Sequence, residues 1–408
     1  MPMKNNYLVG IDIGTKKICT LIGQIKSEEE KEDLEIIGYG ITESRGLKKG
    51  AIVNMERSVE DIKKSIKEAE LTAGFMIESA YVNISGSHIQ SINAKGSINI
   101  TGRSKEITKE DVERAITHAS AILLPSERTI LHVLPQEFIV DSQDGIKNPV
   151  GMVGTNLDVY IHIITGSLTS TKNLLLCLKK AKINVLGTVL SHIATAEAVL
   201  TPDEKELGVL CIDIGGGTTD IAIYEKGSLS FSATIPVGGD NFTNDLSIGI
   251  RTAIDRAEKI KRRYGCATDP NLKDETIEVA SVSGRKSRLI PTSILMSILK
   301  PRAIEIFEMV KNKIDGEGFQ NSINAGVVIS GGSALLDGLL EIADSIFSVP
   351  VRLGAPYGVG GLIDKVNSPD FATAVGLLKY GFADMKEKGF IRNYPRSPWK
   401  KFKDYFGI

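Results

Sequence analysis

The stretch "IDIGTKK" at residues 11–17 returns in nearly the same form as "IDIGGGTTD" at residues 212–220. In both copies an apolar, strand-like run carries an aspartate, Asp12 or Asp213, just before a glycine turn. About half of the 408-residue chain separates the two copies. Two copies at such a distance indicate a duplicated architecture, because a solenoid repeats its unit many times at short intervals.

The residues around each copy predict the same order of elements. Apolar runs bounded by turn residues predict a strand, a glycine turn and two further strands in each half. A longer helix-like segment follows in each half. The first set is predicted at residues 7–13, 18–25, 34–42 and 56–73, and the second at residues 208–214, 220–224, 229–236 and 240–264.

The two turns have the chemistry of a phosphate site. Gly14 in one turn and Gly215, Gly216 and Gly217 in the other lack a Cβ, so backbone N–H groups can crowd around an anion. Thr15 and Thr218 add hydroxyl groups, whereas Asp12 and Asp213 would repel a bare phosphate. A divalent cation resolves this conflict, because carboxylates can hold the waters of Mg²⁺ while amides hold phosphate oxygens. The alternative is two ordinary glycine-tipped hairpins, but the duplicated Asp and Thr favour the phosphate site.

A third glycine cluster lies in "AGVVISGGSALLDGL" at residues 325–339. An apolar strand is predicted to end at Gly331 and Gly332, and Ser333 is predicted to open a helix. A helix N-terminus reached through paired glycines suits a polar ligand, although a routine strand-to-helix turn has the same pattern. The sequence contains no GxxxxGK[ST] motif, so any nucleotide is held by a device other than a P-loop.

The composition excludes several classes of function. With 49 basic and 50 acidic residues, the chain as a whole offers no electrostatic case for nucleic acid. The 4 cysteines are widely spaced without a CxxC motif, which predicts a reduced, cytosolic protein without disulfides or a zinc site. The N-terminus has no signal-peptide pattern, and no apolar run approaches the roughly 18 residues of a membrane span.

Four stretches resemble the actin, Hsp70 and sugar-kinase superfamily. "IDIGTKK", "CIDIGGGTTDIAIY", "VVISGGSALLDGL" and "SPDFATAVGLL" are similar to its first phosphate loop, second phosphate loop, adenosine loop and second connecting helix. The resemblance implies an α/β, duplicated actin-like (ribonuclease H-like) fold with two lobes that close on ATP and Mg²⁺. Each lobe would then supply one of the two hairpins.

Within this superfamily the chain resembles the FtsA family of bacterial cell-division proteins over nearly its whole length. The stretches "SRGLKKGAIVN", "AVLTPDEKELGVLCIDIGGGTTDIAIY" and "IPVGGDNFTNDL" carry the resemblance, together with a short aromatic and basic C-terminus. It implies self-association into a homopolymer and contact with FtsZ, anionic membrane lipids and later cell-division proteins, but not with nucleic acid. The implied location is the cytoplasmic face of the bacterial membrane at the division site.

The resemblance also implies a division of the chain. An α+β subdomain, linked in the family to self-interaction and later division partners, is inserted into the first lobe. A smaller subdomain belongs to the second lobe, and a flexible linker with an amphipathic membrane-targeting helix ends the chain. The implied ranges are 1–83 and 163–195 (first lobe), 84–162 (inserted subdomain), 196–227 and 306–385 (second lobe), 228–305 (its subdomain) and 386–408 (linker and helix).

Site roles carry over only to matching positions. The resemblance implies contacts with ATP from both phosphate loops, the adenosine loop, a further glycine pair and a Glu-x-x-Lys-Arg group around adenine and ribose. The spacing puts this last group on one helical face, and a solvated charged face is the alternative. The implied ATP contacts are Gly14, Thr15, Lys16, Gly215, Gly216, Gly217, Thr218, Gly238, Gly239, Glu258, Lys261, Arg262, Gly331, Gly332 and Ser333. Asp12, Asp213 and Asp220 match carboxylates near Mg²⁺ and its waters.

The first connecting helix, predicted at residues 189–200, departs from the chaperone members of the superfamily. Ser191 stands about where those members place a catalytic glutamate, and Glu197 is the nearest carboxylate in sequence. A positioned general base contributes roughly 10²–10⁴-fold to a rate. The resemblance therefore implies firm nucleotide binding with slow, assembly-dependent or marginal hydrolysis, and no catalytic residue is assigned.

The C-terminal stretch "WKKFKDYFGI" at residues 399–408 follows a polar, proline-broken linker. At about 100° per residue, three aromatic residues share one helical face and lysines occupy the remainder. This pattern is typical of a helix that lies on anionic lipid. The alternatives are a tail packed on its own protein and a calmodulin-like partner. The predicted lipid contacts are Trp399, Lys400, Lys401, Phe402, Lys403, Tyr405 and Phe406.

Other members of the superfamily are alternatives for function. A sugar kinase would need a catalytic aspartate in a substrate cleft and no lipid-binding tail. A chaperone would need a long peptide-binding domain after the second connecting helix, and only about thirty residues follow Leu378. The nearest rivals are a shape-determining filament protein and a pilus-assembly adaptor, and the insertion and the C-terminal helix argue against both.

Overall fold

The computed structural model describes residues 6–28, 31–268, 275–280 and 287–387. The predicted amphipathic helix at residues 399–408 lies outside these ranges. The strands are β1 (Tyr7–Ile13), β2 (Lys17–Glu28), β3 (Lys31–Glu43), β4 (Leu47–Lys48), β5 (Ala51–Ile52), β6 (Ser79–Ile84), β7 (Gln90–Asn99), β8 (Arg128–Val140), β9 (Gln143–Ile146), β10 (Asn156–Ser167), β11 (Asn184–Leu190), β12 (Val209–Ile214), β13 (Thr219–Glu225), β14 (Ser228–Ile235), β15 (Thr276–Val279), β16 (Arg288–Pro291), β17 (Val327–Ser330), β18 (Val351–Leu353) and β19 (Gly360–Gly361). The helices are α1 (Met55–Ala73), α2 (Lys109–Ser120), α3 (Leu168–Lys180), α4 (Ser191–Val199), α5 (Pro202–Leu207), α6 (Gly239–Gly249), α7 (Ile254–Tyr264), α8 (Thr292–Gly316), α9 (Leu339–Phe347), α10 (Ile363–Val366) and α11 (Ala372–Glu387).

Two sheets are built around the duplicated hairpins. The first has the strand order β11-β6-β1-β2-β3-β19, and the second has the order β14-β13-β12-β17-β18. In each sheet the first strand of the hairpin pairs antiparallel with its return strand and parallel with a strand on its other side. The repeated pattern confirms the duplicated architecture that the sequence predicts.

Helices cover both faces of the first sheet. The side chain of Thr20 on β2 lies 2.8 Å from the hydroxyl of Ser65 on α1. On the opposite face, a Cβ placed on Gly10 would lie 2.9 Å from Leu377 Cβ of α11. Since neighbouring strand positions point to opposite faces, β1 and β2 are buried on both sides, which explains their nearly continuous apolar runs.

The helix predicted at residues 56–73 is confirmed as α1. Asn54 caps its N-terminus by accepting a hydrogen bond from the backbone N–H of Arg57 at 3.0 Å. Gly74 ends the helix with φ of 82°, the left-handed geometry that glycine adopts without a steric penalty.

The single helix predicted at residues 240–264 is wrong, because the structure has two helices there, α6 and α7. The chain breaks at Arg251, whose φ is 47°. This turn buries Ile250 and lets the hydroxyl of Thr252 donate to the carbonyl of Ala280 at 2.8 Å. A continuous helix would forgo both contacts.

The two connecting helices, α4 and α11, pack against each other. Predicted at residues 189–200, the first begins only at Ser191, since Val189 and Leu190 belong to strand β11. A Cβ on Gly376 of α11 would collide with the carbonyl oxygen of Ala194 on α4. The glycine therefore allows the two backbones to cross in direct contact.

The inserted segment forms a sheet of its own, with the order β7-β10-β8-β9, covered by α2. The predicted N-cap of α2 is confirmed: Thr108 and Asp111 make a reciprocal capping box. Hydrogen bonds join this sheet to β14 of the second lobe. His162 contacts Asn93 Oδ1 at 2.6 Å through Nδ1 and Ser232 Oγ at 2.8 Å through Nε2.

His162 predicts that the protein loses stability in mild acid. Burial lowers the pKa of His162 from 6.5 to about 4, so between these two pH values the ring is neutral in the fold and becomes protonated when the chain unfolds. The free energy of unfolding is not reduced by this pKa difference above pH 6.5. It falls as the pH decreases toward 4, by about 2 kcal/mol at pH 5. We expect His162→Gln to flatten the decline in thermal midpoint between pH 7.5 and pH 5.

The matched control is His118→Gln, because His118 is an exposed histidine on α2. This variant should follow the wild-type profile. Identical pH profiles for the wild type and His162→Gln would contradict the assignment.

Candidate functional site

The two glycine turns are closed in the same way. The N–H of Gly14 donates to the carbonyl of Lys17 at 3.0 Å, and the N–H of Gly215 donates to the carbonyl of Thr218 at 2.9 Å. Each bond lifts the intervening residues out of the strand ladder. Their backbone N–H groups, those of Thr15, Lys16, Gly216 and Gly217, donate to no protein acceptor in the described part of the chain. Successive free amides of this kind suit an anion.

The two turns lie directly against each other. A Cβ on Gly216 would lie 2.5 Å from Cγ of Lys16, and one on Gly217 would lie 2.9 Å from the hydroxyl of Thr15. Side chains essentially never approach so closely, so glycine at these positions is a packing requirement. The structure therefore brings together the two glycine turns that the sequence places half a chain apart.

The predicted glycine pair, Gly238 and Gly239, underlies the second turn. The N–H of Gly239 donates to the carbonyl of Gly215 at 2.9 Å, and the N–H of Asp240 donates to that of Gly216 at 2.7 Å. A Cβ on Gly238 would lie 2.7 Å from the Gly215 oxygen. The carboxylate of Asp240 also forms an ion pair with Lys16 at 2.5 Å, which links the two turns.

The third glycine cluster also reaches the second turn. The hydroxyl of Ser333 donates to the carbonyl of Gly215 at 3.2 Å, and Gly331 has φ of 87°. The helix predicted to begin at Ser333 is present but short, and it begins one residue earlier, at Gly332. Residues Gly332–Leu335 form one 3₁₀ turn, and Leu336 then adopts extended geometry and packs into the core before α9 begins.

Asp12 is a buried carboxyl held in place by an asparagine that the sequence analysis missed. The amide of Asn83 on β6 donates to Asp12 Oδ1 at 2.7 Å, and its oxygen accepts from the N–H of Ile13 at 2.7 Å. Burial raises the pKa of Asp12 to about 7, with Lys17 lowering it and Asp213 raising it. Asn83 comes from a strand with no motif, so only the parallel pairing with β1 reveals it.

Asp213 and Asp220 face each other across the second hairpin. Thr195 of α4 donates to Asp213 at 2.6 Å, and Thr373 of α11 donates to the same oxygen at 3.3 Å. Burial raises the pKa of Asp213 despite these two hydrogen bonds. Burial and the Asp213 charge raise the pKa of Asp220 to about 7, although Thr234 donates to it at 2.6 Å. Both connecting helices thus contribute hydroxyl groups that orient one carboxylate.

The three aspartates fit a cation in their vicinity. Burial disfavours the charged form of these carboxyl groups, and a nearby cation would favour it. Within the described ranges, no three His, Cys, Asp or Glu side chains gather closely enough to ligate a metal directly. Contact with Mg²⁺ through water stays a prediction.

Lys17, which is not among the predicted site residues, points its charge toward the aspartates. Its ammonium group pairs with Asp370 Oδ2 at 2.6 Å and lies 3.9 Å from the centre of the Phe371 ring. Its charge lowers the pKa of Asp12 and, against the effect of burial, also that of Asp370. The sequence offered one signal for Lys17. It is the first residue of strand β2, so the side-chain alternation of that strand fixes the face on which its side chain lies.

The Glu-x-x-Lys-Arg group on α7 is divided between interior and solvent. Lys261 donates to the carbonyl of Gly239 at 3.0 Å and pairs with Glu258 at 2.7 Å, whereas the Arg262 side chain is 70% exposed. Burial raises the pKa of Glu258, but Lys261 and Arg262 outweigh it and lower the pKa to about 2. The structure therefore places Lys261 against the glycine pair that underlies the second turn, and a role around adenine stays a prediction.

Ser191 and Glu197 differ in their distance from this site. The hydroxyl of Ser191 accepts from Asn83 at 3.0 Å, so a single side chain separates it from Asp12. Glu197 pairs with Lys205 of α5 at 2.6 Å.

No described helix combines the length and the apolar character that crossing a membrane requires.

Known proteins resemble this chain in sequence. A family model described as "Cell division protein FtsA" matches residues 210–376, and one described as "SHS2 domain inserted in FTSA" matches residues 86–165. The cell division protein FtsA of Pseudomonas aeruginosa is 42% identical over 375 residues, which cover 92% of this chain and 89% of that protein.

Solved structures resemble it in fold. The PilM–PilN type IV pilus biogenesis complex matches with a TM-score of 0.66 at 15% identity, covering 92% of this chain and 98% of that chain. MreB5 of Spiroplasma citri bound to ADP matches with a TM-score of 0.56 at 16% identity, covering 95% and 99%. These likenesses confirm the actin-like two-lobed fold.

The packing of Gly238 predicts a position-specific loss of stability. In Gly238→Ala the new methyl group would meet backbone atoms of the second turn at 2.7–3.0 Å, so the turn must shift, at a cost of about 1–3 kcal/mol. We expect a lower thermal unfolding midpoint. Gly316→Ala in α8 is the matched control, since a Cβ there meets nothing within 4 Å. A midpoint for Gly238→Ala equal to that of the control would refute the close approach.

Proposed function

The chain belongs to the FtsA family of cell division proteins, and on that premise we propose that it is an ATP-binding, self-associating protein that anchors FtsZ to the cytoplasmic face of the membrane. The observation that carries the nucleotide part is the meeting of two glycine turns with free amides, each preceded by a buried aspartate. A phosphate chain with a bound cation needs both free amides and carboxylates at one place, and few other ligands do.

In this proposal the phosphates lie between the two turns. The amides of Thr15 and Lys16 face one side of the phosphate chain, and those of Gly216 and Gly217 face the other. Asp12, held by Asn83, and Asp213, held by Thr195, keep the waters of the cation in position. When bound, Mg²⁺ neutralises phosphate charge that these carboxylates would otherwise repel.

Hydrolysis is proposed to be slow or dependent on assembly. The position next to Asp12 and Asn83 is filled by Ser191, a hydroxyl that cannot act as a strong base at neutral pH. The ion pair with Lys205 engages the carboxylate of Glu197. ATP would then serve mainly to hold the two lobes in one closed arrangement.

The membrane part of the proposal rests on the sequence of residues 399–408. A helix of about ten residues is only marginally stable in water, so a single tail would bind lipid weakly and reversibly. Many tails on one polymer would bind far more tightly, because every contact after the first is intramolecular. Self-association would thus convert a weak anchor into a firm one. FtsZ and later division proteins enter as partners from the family resemblance.

Removal of residues 399–408 should abolish sedimentation with anionic liposomes. The aromatic face and the lysines are both lost, and each lysine near an anionic surface contributes about 1 kcal/mol. The matched control is a chain in which the same ten residues are shuffled so that the aromatic residues no longer share a face. We expect this variant to bind much more weakly than the wild type despite its unchanged charge.

The dependence on assembly has its own test in the same assay. A much smaller fraction of the wild-type protein should sediment with liposomes below its assembly concentration than above it. Equal bound fractions in the two regimes would remove the avidity argument, and recovery of FtsZ with liposomes in the absence of this protein would remove the anchoring role.

A further inference from the structure

A third element, the hairpin of β4 and β5 at residues 47–52, lies over both glycine turns. We propose that Lys49 at its tip binds the phosphates of the nucleotide and so completes the site. This inference rests on the proposed function, because it names a further residue of the same site.

The tip of the hairpin touches each turn through its backbone. The N–H of Gly50 donates to the hydroxyl of Thr15 in the first turn at 3.1 Å. A Cβ on Gly217 in the second turn would lie 2.9 Å from Cα and 3.0 Å from the backbone nitrogen of Lys49. Lys49 therefore stands where the two turns meet, beside the amides that face the proposed phosphate chain.

The hairpin is held firmly at its base. Arg45, just before it, pairs with the buried Asp61 of α1 at 2.5 Å. The carbonyl of Gly46 accepts hydrogen bonds from Val53 and Asn54 at 2.9 and 3.0 Å. A rigid base of this kind can place a side chain with the accuracy that a ligand contact needs.

The two residues of the tip have the backbone geometry of a two-residue hairpin turn, in which both central residues take a positive φ. Lys49 has φ of 49° and Gly50 has φ of 75°. Asn or Gly is preferred before glycine in such a turn, and a lysine there is uncommon. The positive φ values follow from the turn itself, since Lys226 and Gly227 between β13 and β14 adopt the same geometry.

The charges around the turns leave Lys49 available. Lys16 pairs with Asp240 at 2.5 Å and Lys17 with Asp370 at 2.6 Å. Lys48 and Lys49 are exposed, and neither ammonium group has a carboxylate partner among the described residues. An unpaired ammonium group beside two turns suited to phosphate would complement the negative charge of the phosphate groups. Lys49 is favoured over Lys48 because its backbone makes the contact with the second turn.

The test compares ATP and AMP binding in the full-length protein by isothermal titration calorimetry with Mg²⁺. Loss of one charge-assisted contact should weaken ATP binding by Lys49→Ala roughly tenfold or more and leave AMP binding within about twofold. Lys49→Arg should recover most of the ATP affinity. Lys48→Ala, which removes the same charge one residue earlier, is the matched control and should stay within about threefold of the wild type.

Lys49→Gly separates binding from folding. Glycine accepts a positive φ, so this variant should unfold at no lower temperature than the wild type in the absence of nucleotide and still lose ATP affinity. Unchanged ATP affinity in Lys49→Ala or Lys49→Gly would overturn the inference, and so would an equal loss in Lys48→Ala or an equal loss for AMP. If the wild type itself bound no ATP, the proposed function would fall as well.

Discussion

The structure depends on backbones that approach each other without an intervening side chain. At the two turns, Gly216 and Gly217 allow the second hairpin to lie against Lys16 and Lys49 of the first lobe. At the crossing of the connecting helices, Gly376 allows α11 to lie against α4. Both contacts bring elements of one half of the chain onto the other, so their relative position is set at these glycines. A methyl group at Gly217 or Gly376 would meet backbone atoms at 2.9 Å or less, so the two elements in contact there would have to shift.

The site formed between the lobes keeps its carboxylates in an unfavourable environment. Burial raises the pKa of Asp12 and of Asp220 to about 7, and neutral donors such as Asn83 and Thr234 compensate only partly. A core that served stability alone would gain from apolar residues at these positions. The cation of the proposed function would favour the ionised form of both groups.

Local patterns in the sequence were sufficient for the strands of the two hairpins but not for the interruption of the helical segment that follows the second. Strand β1 is found where its apolar run and the following glycine predict it, because these signals act within a few residues. The break between α6 and α7 depends on a hydrogen bond from Thr252 to Ala280, which no helical periodicity records. Lys17 was likewise overlooked beside Lys16, since its partner Asp370 lies near the other end of the chain.

By itself, the sequence determined that one hairpin occurs twice and that each copy carries an aspartate, a glycine turn and a threonine, since these are properties of short contiguous stretches. Only the tertiary structure decided that the turns touch, that Asn83 and Thr195 hold the carboxylates, and that the hairpin with Lys49 lies over both. The physical reason is that burial, pKa and backbone contact arise between residues far apart in the chain. Their values are set by the packing of these distant segments against one another and not by the sequence neighbours of each residue.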